Sequence, residues 1–338
     1  MTFISRERED RMDRIPPSDV PPRPSSNHVH PRDLDLTEAR ELVQRAVDKA
    51  EQLGLRGGIA VVGASGALIT ASRLDHGGPG GMARARSKAW IAATQQITST
   101  EHLHRMTTLP APISAGFVQV SPEAIFPGAG GMPIRDKDGV IVAGLAASGA
   151  TVSPFLPEGV APEVVSAAGA PANPEDLLIA YALDVPYVGQ HGDDDARWRQ
   201  RFGDLTVSPA DSLGLKPAPP AAAQRELAWA RALCDRVLAE AHRRGLRVSV
   251  AVVDQGGDPI QQDRMADAVT GGVEVALGTA AAAARFGVPS ELAGQWYRDP
   301  FGIPGGRPLE EGGRVVAGLG VGGIDPAECA LLARAVTA

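Results

Sequence analysis

IAVVGASGALITASR, residues 59–73, and VAVVDQGGDPIQQDR, residues 250–264, are one pattern written twice. Each opens on a run of apolar, largely β-branched residues, breaks at a turn around Gly66 or Gly257, and ends on Arg73 or Arg264. Two such runs joined by a glycine-bearing turn read as a β-hairpin. Adding 191 to each number lays the first copy over the second, and the same offset holds upstream. DLTEARELVQRAVDKAEQLG has an apolar helical face at Ala39, Leu42, Val43, Ala46, Val47 and Ala50; LAWARALCDRVLAEAHRRG repeats it at Ala230, Leu233, Cys234, Val237, Leu238 and Ala241. That spacing predicts an amphipathic helix before each hairpin. Asp35 with Glu38 makes an Asp form of the capping box, and Gly54 and Gly245 are natural stops.

Downstream the order repeats as well. A second helix (MARARSKAWIAATQQI, GVEVALGTAAAAARFG) leads to a glycine-proline loop (FPGAGGMPI, 126–134; IPGGRPL, 303–309), a strand (GVIVAGLAASG, RVVAGLGVGG) and a closing helix (NPEDLLIAYAL, DPAECALLARA). Asn173 and Asp325 are good N-caps ahead of a proline in the first turn. The chain is an internal duplication. Its parts are a charged, proline-rich tail over 1–33, a first domain over 34–183 with an insertion over 150–172, a linker over 184–223, and a second domain over 224–338. Tyr187, Trp198 and Phe202 in the linker suggest that part of it packs on a domain.

Composition narrows the function. Over 338 residues, 43% hydrophobic and 22% charged content is ordinary for a globular protein, and 4% aromatics predicts cores of Ala, Val, Leu and Ile. A net charge of −7 gives no basic footprint for nucleic acid. No run reaches membrane-span length, and MTFISRERED lacks the apolar stretch of a signal peptide, so a cytoplasmic protein is expected. Cys234 and Cys329 fall on apolar helix faces, against a disulfide framework or a thiolate metal site.

The ordered set AVVDQGG, RMADA, SKAW, GGMPI, GGRPL and GLAASG resembles the GlcG/HbpS-like family, which includes haem-degrading or haem-binding HbpS-like domains and the C-terminal domain of PduO-type proteins. The resemblance covers about 34–183 and 226–338. It implies an α+β class fold: two tandem profilin-like units, each an antiparallel sheet packed with helices, joined as an intrachain pseudo-dimer. The absence of βαβ order agrees with this. It further implies haem or another tetrapyrrole as a ligand, and homo-oligomers. The copies also differ: Gly63 stands against Asp254, Lys88 against Thr279 and Ser148 against Gly322.

Several residues carry chemistry. Gly130–Gly131 and Gly305–Gly306 either form backbone nests for an anion or are tight corners. Arg73 and Arg264 either clamp a carboxylate or haem propionate or close ion pairs with Asp75 and Asp267. Lys88, four residues after Arg84, is an anion ligand, a nucleophile or a solvated helix residue; Arg307 joins the second-half set. His76, His102 and His104 are the haem-ligand candidates, although His102 and His104, two apart on a helix, point in different directions. The expected function is binding of a small anionic or tetrapyrrole ligand. The alternatives are an enzyme acting on a small carboxylated metabolite with Lys88 or a histidine as acid or base, and a non-catalytic accessory subunit.

Overall fold

Helix caps and apolar periods set the elements as the sequence requires. The computed structural model describes residues 33–53, 55–75, 77–149, 173–187, 227–297 and 299–337. Gly54, His76, Trp198, Phe202, residues 1–32 of the tail, the 150–172 insertion and most of the linker lie outside the described residues. α1 (Leu36–Gln52) begins at a closed capping box, with Glu38 N donating to Asp35 Oδ1 at 2.8 Å and Asp35 N to Glu38 Oε2 at 3.1 Å. β1 (Gly58–Gly63) and β2 (Leu68–Arg73) form the first hairpin, followed by α2 (Gly81–Thr94), α3 (Ser99–Thr108), α4 (Ala111–Val120), β3 (Gly131–Arg135), β4 (Ile141–Ser148) and α5 (Pro174–Leu183). The second half runs α6 (Leu227–Arg243), β5 (Ser249–Asp254), β6 (Pro259–Arg264), α7 (Gly272–Phe286), α8 (Ser290–Tyr297), β7 (Gly306–Glu311), β8 (Arg314–Gly322) and α9 (Pro326–Thr337).

The duplication holds down to register. Gly58 pairs with Arg73 and Ser249 with Arg264, and each hairpin has its irregularity at the same place, Val61/Val62 and Val252/Val253. The strands form one antiparallel sheet of eight in the order β3-β4-β1-β2-β6-β5-β8-β7. At its centre Thr70 pairs with Asp263, Ala71 with Gln262 and Ser72 with Gln261. Under the offset of 191, Ala71 and Gln262 are mates, so a pseudo-twofold axis passes between them. This is the isologous contact of a homodimer made within one chain, and it leaves neither β2 nor β6 as an open edge.

Alternate strand residues face opposite layers. Ile59, Val61, Ile69, Leu145, Val250, Val252 and Leu319 join buried residues of α1, α5, α6 and α9 in a core continuous across the axis. Ala60, Val62, Leu68 and Ala146 pack instead on Met82, Ala85, Ala89 and Trp90 of α2, and Ala251 and Val253 on α7. The Ser148/Gly322 difference follows from this packing. β1 sets Gly58 against Ser148, and β5 sets Ser249 against Gly322, so each half keeps one serine and one glycine in opposite strands. A Cβ on Gly58 would lie 2.6 Å from Met82 N, and one on Gly322 2.5 Å from Gly272 O, at the start of the covering helix.

The halves also differ in a connection that the sequence comparison passed over. Ser99 reaches Gly128 O across 29 residues, whereas Ser290 reaches Ile303 O across 13. The extra length holds α4, none of whose residues is buried. Tyr187, placed in the linker by the sequence, packs on the first-half core, and its hydroxyl accepts Asn173 N at 3.0 Å.

Candidate functional site

The glycine loops sit where β3 and β7 start. Gly130 N donates to Asp176 Oδ1 at 2.8 Å and Gly306 N to Ser290 Oγ at 2.8 Å. Gly130 has φ 94° and Gly305 φ 142°. A Cβ on Gly130 would meet Glu175 Cβ at 2.6 Å, and one on Gly305 would meet Val321 O at 2.6 Å. Gly131 and Gly306 continue into the strand ladders opposite Ala146 and Gly320.

The arginines take partners distant in sequence. Arg73 is buried and donates from NH2 to Asp254 Oδ2 at 2.8 Å, across the pseudo-twofold. Asp75, its sequence-local partner, instead accepts Leu227 N at 2.7 Å. Arg264 is equally buried; its Nε donates to Leu68 O at 2.8 Å and its NH2 lies 3.6 Å from Asp33 Oδ2. By the offset, Arg264 should meet the side chain at position 63, the mate of Asp254, but that residue is glycine. A Cβ built on Gly63 falls 2.5 Å from Asp33 Cγ. The Asp33 carboxylate therefore occupies the space of the missing side chain, held by Ser65 N at 3.2 Å and Ser65 Oγ at 2.9 Å. Burial pushes the Arg264 guanidinium below its ordinary pKa, and the Asp33 charge opposes that shift. Arg307 pairs with Glu291 at 3.2 Å, and burial holds its pKa below the ordinary value as well.

Lys88 is buried in α2. Its Nζ donates to Glu175 Oε2 at 2.5 Å and lies 3.5 Å from Ala147 O, while Glu175 Oε1 accepts Gly149 N at 2.7 Å. Phe126, 47% exposed, lies over this pair with its ring centroid 5.7 Å from Lys88 Nζ. Arg84 lies against the same ring at 6.0 Å and has no carboxylate partner among the described residues. Position by position, Arg84, Arg86 and Lys88 correspond to Val275, Leu277 and Thr279. The Thr279 hydroxyl turns back onto Val275 O at 2.8 Å, and a Cβ on Gly305 would lie 3.3 Å from Cys329 Cβ. The first half thus gathers cations and a carboxylate where the second half is neutral, while each half keeps a partly exposed ring over its helix, Phe126 and Phe301. Sequence reasoning singled out Lys88 but not Arg84, Phe126 or Glu175. The offset that revealed the duplication carried the signal for Arg84, whose mate is a valine.

His102 is 5% exposed, its ring centroid 5.6 Å from that of Phe117, and its Nε2 has no hydrogen-bond partner among the described residues. Burial lowers its pKa, and Arg105 adds to the effect. His104 lies two residues on in the same helix, α3. His76 is outside the described residues. Among the described residues, no group of three or more His, Cys, Asp or Glu side chains is placed to hold a metal ion, and Cys234 and Cys329 are both buried. No described helix is long and apolar enough to cross a membrane.

The family model described as haem degrading protein, HbpS-like, matches residues 34–154 and again 226–338. The crystal structure of HbpS is 25% identical over 36% of this chain and 95% of that one, with a TM-score of 0.32. Klebsiella pneumoniae protein ORFY is 22% identical over 36% of this chain and 94% of its own, with a TM-score of 0.32. A PduOC:haem complex is 20% identical over 47% of this chain and 99% of its own, with a TM-score of 0.34. No curated protein matches the chain.

Proposed function

The chain belongs to the haem-degrading HbpS-like family, present in two copies, and from that premise we propose that it binds a small ligand, haem or another carboxylated molecule, over Phe126 in the first half. The observation that carries this reading is the inequality of the two copies along α2 and α7. A buried ion pair such as Lys88–Glu175 brings little net stability, because desolvation of both charges offsets their attraction. The second half manages with Thr279 at the same position.

The described residues fit two parts of a haem. The exposed Phe126 ring offers a face for stacking a flat macrocycle, and the Arg84 guanidinium offers a fork for a propionate carboxylate. Bound haem would supply iron chemistry; the chain's own part is to bind and orient it. Arg84 would take the carboxylate, while Glu175 holds Lys88 so that its charge stays beneath the ring. Lys88, already engaged by Glu175 and near Ala147 O, fits a positioning role better than that of a nucleophile.

Haemin titration of the full chain, followed by absorbance, tests the reading. The expected result is a saturable Soret shift that Phe126→Ala and Arg84→Gln each weaken by about tenfold, the order of one aromatic stack for Phe126 and of one charge-assisted hydrogen bond for Arg84. Both side chains reach solvent, so the variants should keep the fold, which circular dichroism checks. No saturable shift, or identical titrations for all three proteins, would overturn the proposal.

A further inference from the structure

A groove of about 560 Å3 runs between α1 and α6 at the pseudo-twofold axis. Arg40 and Arg231 line it and are mates under the offset of 191. Their surroundings are not equivalent. Arg40 donates from Nε to Asp263 Oδ1 at 3.0 Å, from NH2 to Asp263 Oδ2 at 2.8 Å, and from NH1 to Asp235. Among the described residues Arg231 hydrogen-bonds only neutral acceptors, Ser72 Oγ at 3.1 Å, Gln261 Oε1 at 3.5 Å, and Gln44 Oε1, while Asp263, Asp235 and Asp48 act on it through charge alone. Ser72 is the mate of Asp263 and Gln44 the mate of Asp235. Both carboxylates that hold one arginine have thus been exchanged for neutral groups around the other. Asp263 acts on Arg231 through its charge but makes no hydrogen bond to it; its Oδ1 instead accepts Thr70 Oγ1 and Gln261 Nε2, each at 2.9 Å.

We infer that this groove binds a small organic monocarboxylate, whose carboxylate group takes at Arg231 the place that Asp235 and Asp263 take at Arg40. A guanidinium presents its donors as a fork matched to a carboxylate, and the groove has the size of an ordinary small-molecule site. Leu36 and Leu238 line it and suit a short apolar body. Glu41 and Asp235 line it too, so their charge disfavours a ligand with two or more negative groups. The site lies on the face of the sheet covered by α1 and α6, opposite the α2 side that carries Arg84 and Lys88. It does not depend on the Phe126 reading.

The test is calorimetric titration of the full chain with butyrate, with butylammonium and inorganic phosphate as comparators. Butyrate is expected to bind saturably, butylammonium not at all, and phosphate more weakly than butyrate. Arg231→Gln should weaken butyrate by about tenfold or more. Gln44→Asp gives the decisive variant, because it copies Asp235 and puts a carboxylate of the protein beside Arg231. That protein should keep the fold and lose butyrate binding, so it decides the matter even where Arg231→Gln folds poorly. Arg84→Gln should leave butyrate binding unchanged. Absence of saturable binding, phosphate binding as tight as butyrate, full binding by Gln44→Asp, or loss through Arg84→Gln would each overturn the inference.

Discussion

Replacing Asp33 by alanine would remove the only carboxylate that the described structure places beside Arg264. Arg264 is 3% exposed, so water cannot take over the lost contact. Removing one member of a buried pair commonly costs about 3–5 kcal/mol. Here the separation is 3.6 Å and Nε keeps its bond to Leu68 O, so a loss of about 2–3 kcal/mol is expected. The second copy shows how to restore it, since Asp254 serves Arg73 from the position that Gly63 holds. Gly63→Asp alone should destabilise, because its Cβ would fall 2.5 Å from Asp33 Cγ and would crowd a second carboxylate beside the first. In the Asp33→Ala background the same change should stabilise. Urea unfolding of the four proteins in this cycle measures the coupling, which should exceed about 1 kcal/mol in favour of the double variant. Additive effects, or Gly63→Asp tolerated equally with and without Asp33, would refute the claim that the two positions share one carboxylate site.

Two further outcomes follow from the buried charges. Lys88→Met should destabilise the first half by about 3–5 kcal/mol by removing the buried cation beside Glu175, and Lys88→Met/Glu175→Leu should cost less than either single change in the same unfolding assay. A double variant worse than both would show that the pair itself holds the fold. His102 is kept neutral by burial, so its folded pKa lies below 6.5. Its contribution is complete above 6.5 and is lost as pH falls through that value toward the folded pKa, because the unfolded chain takes up the proton first. Melting temperatures measured from pH 7.5 to pH 5 should therefore decline more steeply in the parent than in His102→Phe; parallel curves would exclude His102 as the cause.

The fold was legible because duplication prints the same pattern twice. Ala39, Val43, Ala46 and Ala50 are buried, as are their mates Ala230, Cys234, Val237 and Ala241, and an apolar period needs no knowledge of partners. The charges were not legible in the same way. Sequence proximity offered Asp75 to Arg73 and Asp267 to Arg264, but the partners are Asp254 and Asp33, 181 and 231 residues away. A partner across a pseudo-twofold can be read only once the strand that meets its own mate is known. The β2–β6 contact supplies that fact and no local motif announces it. The glycine loops show a different limit. Their composition allowed a nest or a corner, and only the position of Asp176 and Ser290 beside the N–H groups tells which donors are already engaged.

A symmetric dimer would have to repeat every charge on both sides of its axis. Here the departures between copies occur where such repetition is most constraining. Along the helix facing Phe126, Arg84 and Lys88 give way to Val275 and Thr279; at the hairpin ends, Asp254 gives way to Gly63 with Asp33 in its space; at the axis, Asp235 and Asp263 give way to Gln44 and Ser72. The axis is the clearest case. Thr70, Asp263, Gln261 and Ser72 form one buried relay, in which Thr70 and Gln261 are mates and Ser72 and Asp263 are mates. Two copies of either half could not make that relay, because each would bring either both acids or neither. Two buried acids at the axis would each need a cation, and the two arginines would then have no unmatched charge to offer. With one acid supplied on each level, Arg40 is bonded to carboxylates within the protein, whereas Arg231 hydrogen-bonds only neutral groups among the described residues and lines an open groove. Covalent fusion of the halves is what makes that inequality possible.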